Sequence, residues 1–144
     1  LALGACAKEP APTTGEIGGR LEFPSDEVPA MTIVLLEMNN PEPIKIKSPA
    51  KRATYAVSVP PGRYIVYAIP DESPDPLLVG AHTDYSLCDP RVRSGEVDGE
   101  RCRTSPPREV SVVAGARVTD AHIDDWYLEE QVAMSLLALA NRDR

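Results

Sequence analysis

Apolar and polar positions alternate with a period of two through most of this chain, and only near the C-terminal end does the period lengthen. Tyr55, Val57 and Val59 alternate with the smaller Ala56 and Ser58, which is the pattern of a strand with one buried face. Pro60-Pro61-Gly62 follows, and then Tyr64, Ile65, Val66, Tyr67 and Ala68. Proline presets φ at a first corner, glycine supplies the positive φ that a second corner often needs, and aromatic and β-branched residues favour a pleated surface. The pattern predicts a β-hairpin closed by a tight Pro-Pro-Gly turn, its second strand running to Ile69.

The same reasoning lays out the other elements. Residues 15–23 predict a first strand, with Ile17, Leu21 and Phe23 on one face. Met31 to Leu36 is an almost continuous apolar run, suited to a central strand covered on both sides. Ile44-Lys45-Ile46-Lys47 alternates cleanly and predicts a short edge strand, its lysines facing water and discouraging further pairing. Residues 77–87 predict another strand, Val79, Ala81, Thr83 and Tyr85 alternating against Leu78, Gly80, His82 and Asp84. Residues 108–113 and 116–123 predict a final hairpin across Ala114-Gly115. Trp126, the single tryptophan, is expected to plug the end of the core. Beyond it Leu128, Val132, Leu136 and Leu139 fall at helical spacing, with Met134, Leu137 and three alanines widening the stripe. Glu129 and Glu130 at its start, and Arg142 and Arg144 at its end, suit the helix dipole.

Two segments carry a family resemblance: Gly15-Glu16-Ile17-Gly18-Gly19-Arg20-Leu21, and Tyr55-x-Val57-x-Val59-Pro60-Pro61-Gly62-x-Tyr64-x-Val66. Together they resemble the carboxypeptidase regulatory-like, or transthyretin-like, β-sandwich over roughly residues 15–126. Ile123-Asp124-x-Trp126 is similar to an ending found in relatives of that fold. The resemblance implies an all-β, seven-to-eight-stranded Greek-key β-sandwich, here with a C-terminal α-helix added. It implies an accessory or interaction module rather than an activity, so function must be argued from sites.

Composition narrows the class. In 144 residues, 15 Lys+Arg stand against 22 Asp+Glu, a net charge of −7, which leaves no electrostatic footprint for nucleic acid. Fifteen prolines sit where an all-β chain would place its turns. No apolar run approaches the ~20 residues of a membrane-crossing helix. The chain begins without Met and is read as a fragment of a longer precursor.

Leu3-Gly4-Ala5-Cys6 resembles a lipobox, which makes residues 1–5 the remnant of a signal peptide and Cys6 the lipidated residue. Residues 6–14 are then a Pro/Ala/Thr tether with few large apolar groups to pack. The alternative is a buried free cysteine in an N-terminal strand. With Ala7 rather than Asp after the cysteine, the expected address is the outer membrane of a bacterial envelope, facing the periplasm. Cys88 and Cys102 then remain as an even pair in an oxidising compartment. Bridging them closes a loop of about 15 residues and contributes on the order of 3 kcal/mol. The competing reading, a metal held by both thiols and a histidine, lacks Cys-x-x-Cys or His-x₃-His spacing.

Catalytic chemistry has few residues to draw on. His82 and His122 are the two histidines, and there is no Gly-x-Ser-x-Gly elbow, His-Glu-x-x-His or phosphate-cradling loop. Asp84, Asp89, Glu96, Asp98 and Glu100 match no calcium loop and, mixed with Arg91, Arg93, Arg101 and Arg103, read as a self-compensated polar segment. The expectation is a non-catalytic envelope subunit without cofactor or metal, binding another protein of a membrane complex. The helix of residues 128–144 either folds back on the sandwich of residues 15–127, or docks elsewhere through Leu128, Val132, Leu136 and Leu139. Burial of those four would contribute roughly 6 to 12 kcal/mol before entropy. A ligand-binding module for glycan or metal is the alternative.

Overall fold

The computed structural model describes residues 11–25, 27–40, 42–87 and 106–141. Cys6, Cys88 and Cys102 lie outside them, and so do the lipid and disulfide expectations. Among the described residues eight strands form two sheets, followed by one α-helix. The all-β expectation with a C-terminal helix therefore holds at the level of class.

One sheet has the order β4-β1-β8. Here β1 (Gly15–Arg20) runs antiparallel to β4 (Thr54–Val59) and parallel to β8 (Arg117–Val118). The other has the order β3-β2-β5-β6, built from β3 (Ile44–Ser48), β2 (Met31–Glu37), β5 (Gly62–Pro70) and β6 (Gly80–Ala81). A fifth strand, β7 (Val110–Val112), also pairs with β5.

Between the sheets lies one core, in which Ile17, Tyr55, Val57 and Val59 of the first meet Ile33, Leu35, Tyr64 and Val66 of the second. The apolar run of β2 explains a second layer. Its alternate residues Val34 and Leu36 face outward and are covered by α1 (Glu130–Ala140), with Tyr67, Val79 and Ala81. A strand buried on both faces cannot afford the usual polar alternation.

Both predicted hairpins are corrected. The Pro-Pro-Gly segment does join β4 to β5, but the two strands belong to different sheets, so the chain arches across the core instead of folding back in one plane. Among the described glycines the positive φ occurs at Gly115, not at Gly62. At Gly62 an added Cβ would lie 3.0 Å from Glu37 Oε1, the movable end of a side chain. Tyr64 fixes the corner: its ring is buried and its hydroxyl donates to the Pro60 carbonyl at 2.6 Å.

The turn at Ala114-Gly115 also forms, with Ala116 N–H donating to Val113 at 3.0 Å and Gly115 at φ 81°. Its arms part: β7 joins β5, and β8 joins β1. The strand expected over residues 77–87 shrinks to Gly80–Ala81. Upstream, the Asp75 carboxylate accepts the Leu77 N–H at 2.9 Å and folds the chain into a turn. Downstream, Thr83 Oγ1 accepts the Tyr85 N–H at 3.0 Å and starts a 3₁₀ turn over Asp84–Leu87. Such local side-chain acceptors compete directly with a sheet ladder. The edge expectation for β3 holds, and Lys47 finds partners there in Asp71 at 3.1 Å and Thr32 at 2.9 Å.

Candidate functional site

Helix α1 carries Val132, Leu136 and Leu139 of the residues predicted to dock. Leu136 is buried against the chain's own β2–β5–β6 surface, and Leu128, Val132 and Leu139 pack partly buried around the same cluster. Of the two alternatives, the structure displays the helix folded back. Closest to the sheet are Ala133, Leu136 and Ala140, where small side chains let the helix axis approach; Met134, expected within the stripe, is 52% exposed. Tyr67, fully buried, donates its hydroxyl to the Leu136 carbonyl at 2.7 Å, so the sheet holds the helix by a polar contact as well. Burial pushes the Tyr67 phenol well above its ordinary range, and the group stays protonated.

Titratable groups gather elsewhere, in a cleft of about 400 Å³ on the flank where β7 and β8 approach each other across the core. It is lined by Arg20, His82, Arg108, Glu109, Asp120 and His122, with Ser111 and Val118. Backbone pairing builds it. Residues 121 and 123 run beside β1, their N–H groups donating to Gly18 at 3.0 Å and Arg20 at 2.9 Å. Between them the His122 ring turns back, and its Nδ1 accepts the Arg20 N–H at 2.9 Å. From the other sheet, His82 donates its own N–H to Val66 at 3.0 Å while its carbonyl accepts from Arg108 at 2.8 Å. His82 Nδ1 lies 2.8 Å from the His122 carbonyl.

These contacts assign the ring protons. A carbonyl only accepts, so His82 carries its proton on Nδ1, and Nε2 keeps the lone pair in the neutral ring. An accepting Nδ1 at His122 puts that ring's proton on Nε2. The cleft thus holds one imidazole acceptor and one imidazole donor. Burial lowers the affinity of both rings for a second proton, aided at His82 by Arg108 and at His122 by Arg20.

What can this arrangement do chemically? A cation finds one imidazole lone pair here, not two, and among the described residues no group of three His, Cys, Asp or Glu side chains converges on a metal position. Ser111 lines the cleft but forms no hydrogen bond to either histidine, so a serine activated by an adjacent base is not assembled. The exposed charges are of both signs. Arg108 pairs with Asp84 at 3.3 Å, and Arg20 lies 3.9 Å from Glu22. Such a rim suits reversible polar recognition.

Just behind the cleft, the Asp125 carboxylate is fully buried and accepts from Thr83 Oγ1 at 2.8 Å and from the Tyr127 N–H at 3.0 Å. Burial raises its pKa, and these two donors oppose the rise. Ala81 and Asp125 also exchange backbone hydrogen bonds, at 2.9 and 3.2 Å. Trp126 then seals the end of the core as expected, stacking edge-on against Phe23 at 4.9 Å and donating its ring N–H to the Glu22 carbonyl. Sequence reading singled out the histidines but missed Arg20, Arg108 and Asp120 as their neighbours, and missed the Thr83–Asp125 pair. Residues 42 apart in the chain give no local signal.

A second concavity, about 450 Å³ and largely apolar, runs between α1 and β3, past Val34, Ile46, Ile69 and Leu137. No helix among the described residues is long and apolar enough to cross a membrane.

No family model matches the chain, and no curated protein does. Two solved structures are similar to it. A leucine-rich repeat protein from Bacteroides thetaiotaomicron VPI-5482 is 12% identical over 84% of this chain, with a TM-score of 0.38. A candidate adhesin from Bacteroides ovatus ATCC 8483 is 14% identical over 80% of this chain, with a TM-score of 0.42. The chain spans 15% and 44% of the lengths of those two chains.

Proposed function

We propose that this chain is a lipid-anchored, non-catalytic β-sandwich of the bacterial envelope, an accessory or assembly subunit that binds another protein of a membrane complex. In this reading the sandwich is a Greek-key, carboxypeptidase regulatory-like domain, and Cys6 anchors it in the outer membrane facing the periplasm. The Tyr64–Pro60 contact supports the family part, because it gives the Pro-Pro-Gly-x-Tyr motif a reason to persist as a unit.

The observation that carries the binding part is the composition of the cleft. Its exposed arginines and carboxylates form a polar rim of both signs around two imidazoles whose Nδ1 atoms are tied to backbone. Proteins recognise one another through such rims. Helix α1 contributes rigidity, since its stripe is already covered, and docking falls to the cleft.

Tether geometry is compatible. Gly115 N–H donates to the Thr14 carbonyl at 2.9 Å, so the N-terminal segment leaves the sandwich at the end bearing the 114–115 turn and the Pro-Pro-Gly arch. The eight residue steps from Cys6 to Thr14 reach at most about 30 Å, which keeps that end near the bilayer.

The test is an affinity capture from detergent-solubilised native membranes with the full lipoprotein, beside Arg108→Glu and Met134→Lys versions. One stoichiometric membrane partner, retained by the parent and Met134→Lys but lost by Arg108→Glu, is expected. Radiolabelled palmitate should enter the parent and not Cys6→Ser. Retention by Arg108→Glu would move the docking surface away from the cleft. The alternative, a glycan or metal module, rests on His82 Nε2, which meets no hydrogen-bond partner among the described residues; saturable binding of either ligand, abolished by His82→Gln, would favour it.

A further inference from the structure

The outermost strands of a sheet expose rows of unpaired N–H and C=O groups, and proteins guard such edges by charge, brevity or cover. Most edges here are guarded. β3 carries Lys45 and Lys47, β6 and β8 have two residues each, and β7 has three. β4 differs: it is the outer strand of its sheet, six residues long, with neither charge nor proline between Thr54 and Val59.

One contact gives the direction of its hydrogen bonds. Leu21 N–H donates to the Ala53 carbonyl at 2.7 Å, making these two residues a bonded pair at the end of the β1–β4 ladder. Antiparallel ladders alternate bonded and non-bonded pairs, so the next bonded pairs in this register are Gly19–Tyr55, Ile17–Val57 and Gly15–Val59. Thr54, Ala56 and Ser58 therefore turn their N–H and C=O groups outward, where no backbone partner among the described residues meets them. Their side chains are exposed.

We propose that this edge pairs with the same edge of a second copy, antiparallel and centred on Ala56. In that register Ala56 faces Ala56 of the other copy and Thr54 faces Ser58, and each facing pair exchanges two hydrogen bonds. All outward groups of the strand are then satisfied. Pro60, which has no N–H, ends the ladder on both sides.

Side chains agree with a twofold axis at this point. The residue meeting itself is alanine, the flanking pairs are Thr with Ser, and on the inner face Tyr55 of one copy lies beside Val57 of the other, an aromatic–β-branched pair. The cationic Lys51 and Arg52 of the two copies fall at opposite ends, Arg52 and its counterpart eight positions apart or about 27 Å. An isologous contact demands this self-complementarity, whereas an uncharged edge holds nothing to select a foreign strand. Pairing would join two three-stranded sheets into one of six.

Sedimentation velocity of the purified full chain tests this, with detergent present where the chain is acylated. A dimer is expected at tens of micromolar chain, a concentration chosen because a single-strand edge lies at the small end of specific interfaces. Ala56→Lys, exposed in one copy, should keep the parent's Trp126 fluorescence yet sediment as a monomer, and mixing it with Ala56→Glu should restore the dimer. Ala56→Cys should add an interchain disulfide absent from the parent, while Ser58→Cys should not, its two copies lying about 13 Å apart along the strand. A monomeric parent without an Ala56→Cys crosslink overturns the proposal. So does a dimer that survives Ala56→Lys, and equal crosslinking at position 58 overturns the register.

Discussion

Gly80→Ala tests how Trp126 closes the core. Gly80 begins β6 beneath the indole, and an added Cβ would lie 2.5 Å from Trp126 Cζ2 and 2.6 Å from Cδ2. Neither partner can easily yield. Gly80 is fixed by pairing to Ala68 of β5, and Trp126 by its N–H bond to the Glu22 carbonyl and its edge-on contact with Phe23. Overpacking of this kind costs about 1–3 kcal/mol. If the indole swings away, a hydrogen bond worth about 1 kcal/mol and an aromatic pair worth about 0.5–1.5 kcal/mol are lost instead. Either route predicts destabilisation of about 1–3 kcal/mol, within the range that core substitutions reach. Because Trp126 is the single tryptophan, urea unfolding followed by its fluorescence reports stability and local environment together. The variant's emission should shift to the red and its midpoint should fall. In a Trp126→Leu background the penalty for Gly80→Ala should shrink below about 1 kcal/mol, since the two changes share one contact. A variant within about 0.5 kcal/mol of the parent, or an undiminished penalty in that background, would refute the reasoning.

Other substitutions probe the remaining contacts. Gly115→Ala, at φ 81°, should cost about 1–2 kcal/mol, while Gly62→Ala should cost under about 0.5 kcal/mol because its neighbour is the flexible end of Glu37; chemical denaturation separates them. Leu136→Ala should lose about 2–5 kcal/mol and Tyr67→Phe about 0.5–1.5 kcal/mol, both read by calorimetry. For pH, the folded chain holds His82 and His122 below their ordinary pKa of 6.5, so below that value the unfolded chain binds more protons and stability falls as pH drops. Asp125 has the opposite sign: its raised pKa favours the folded state at low pH, and that contribution is lost as pH rises from 3.8 through the raised value. Urea midpoints at pH 7.5 and 6.0 should therefore differ less in His82→Gln than in the parent, and an equal difference would count against a buried neutral ring.

Much of the fold was legible because it is written in local chemistry. Alternation at 55, 57 and 59 and at 110 and 112 marks the faces that are in fact buried, and the continuous run of Met31 to Leu36 announced a strand covered twice. Pro-Pro-Gly and Ala-Gly marked both reversals of the chain. The strand predicted over residues 77–87 failed because Asp75 and Thr83 offer nearby N–H groups an acceptor that hydropathy does not register. Of the cleft, the two histidines could be named in advance, but their ring tautomers could not, since each depends on a backbone group far away in sequence.

What the sequence determined by itself, then, is where most strands begin, where the chain reverses, which faces are apolar and that a helix follows the strands. Those properties arise from backbone preference and side-chain polarity over a few neighbouring residues. Only the tertiary structure decided which sheet takes each arm of a turn, that α1 covers Val34 and Leu36 of its own β2, and that Arg20, His82, Arg108 and His122 meet in one cleft. A turn fixes that the chain changes direction, but the hydrogen-bonding edges still open elsewhere fix what each arm joins. At β4 the same rule leaves Thr54, Ala56 and Ser58 with outward-facing groups that no backbone partner among the described residues meets.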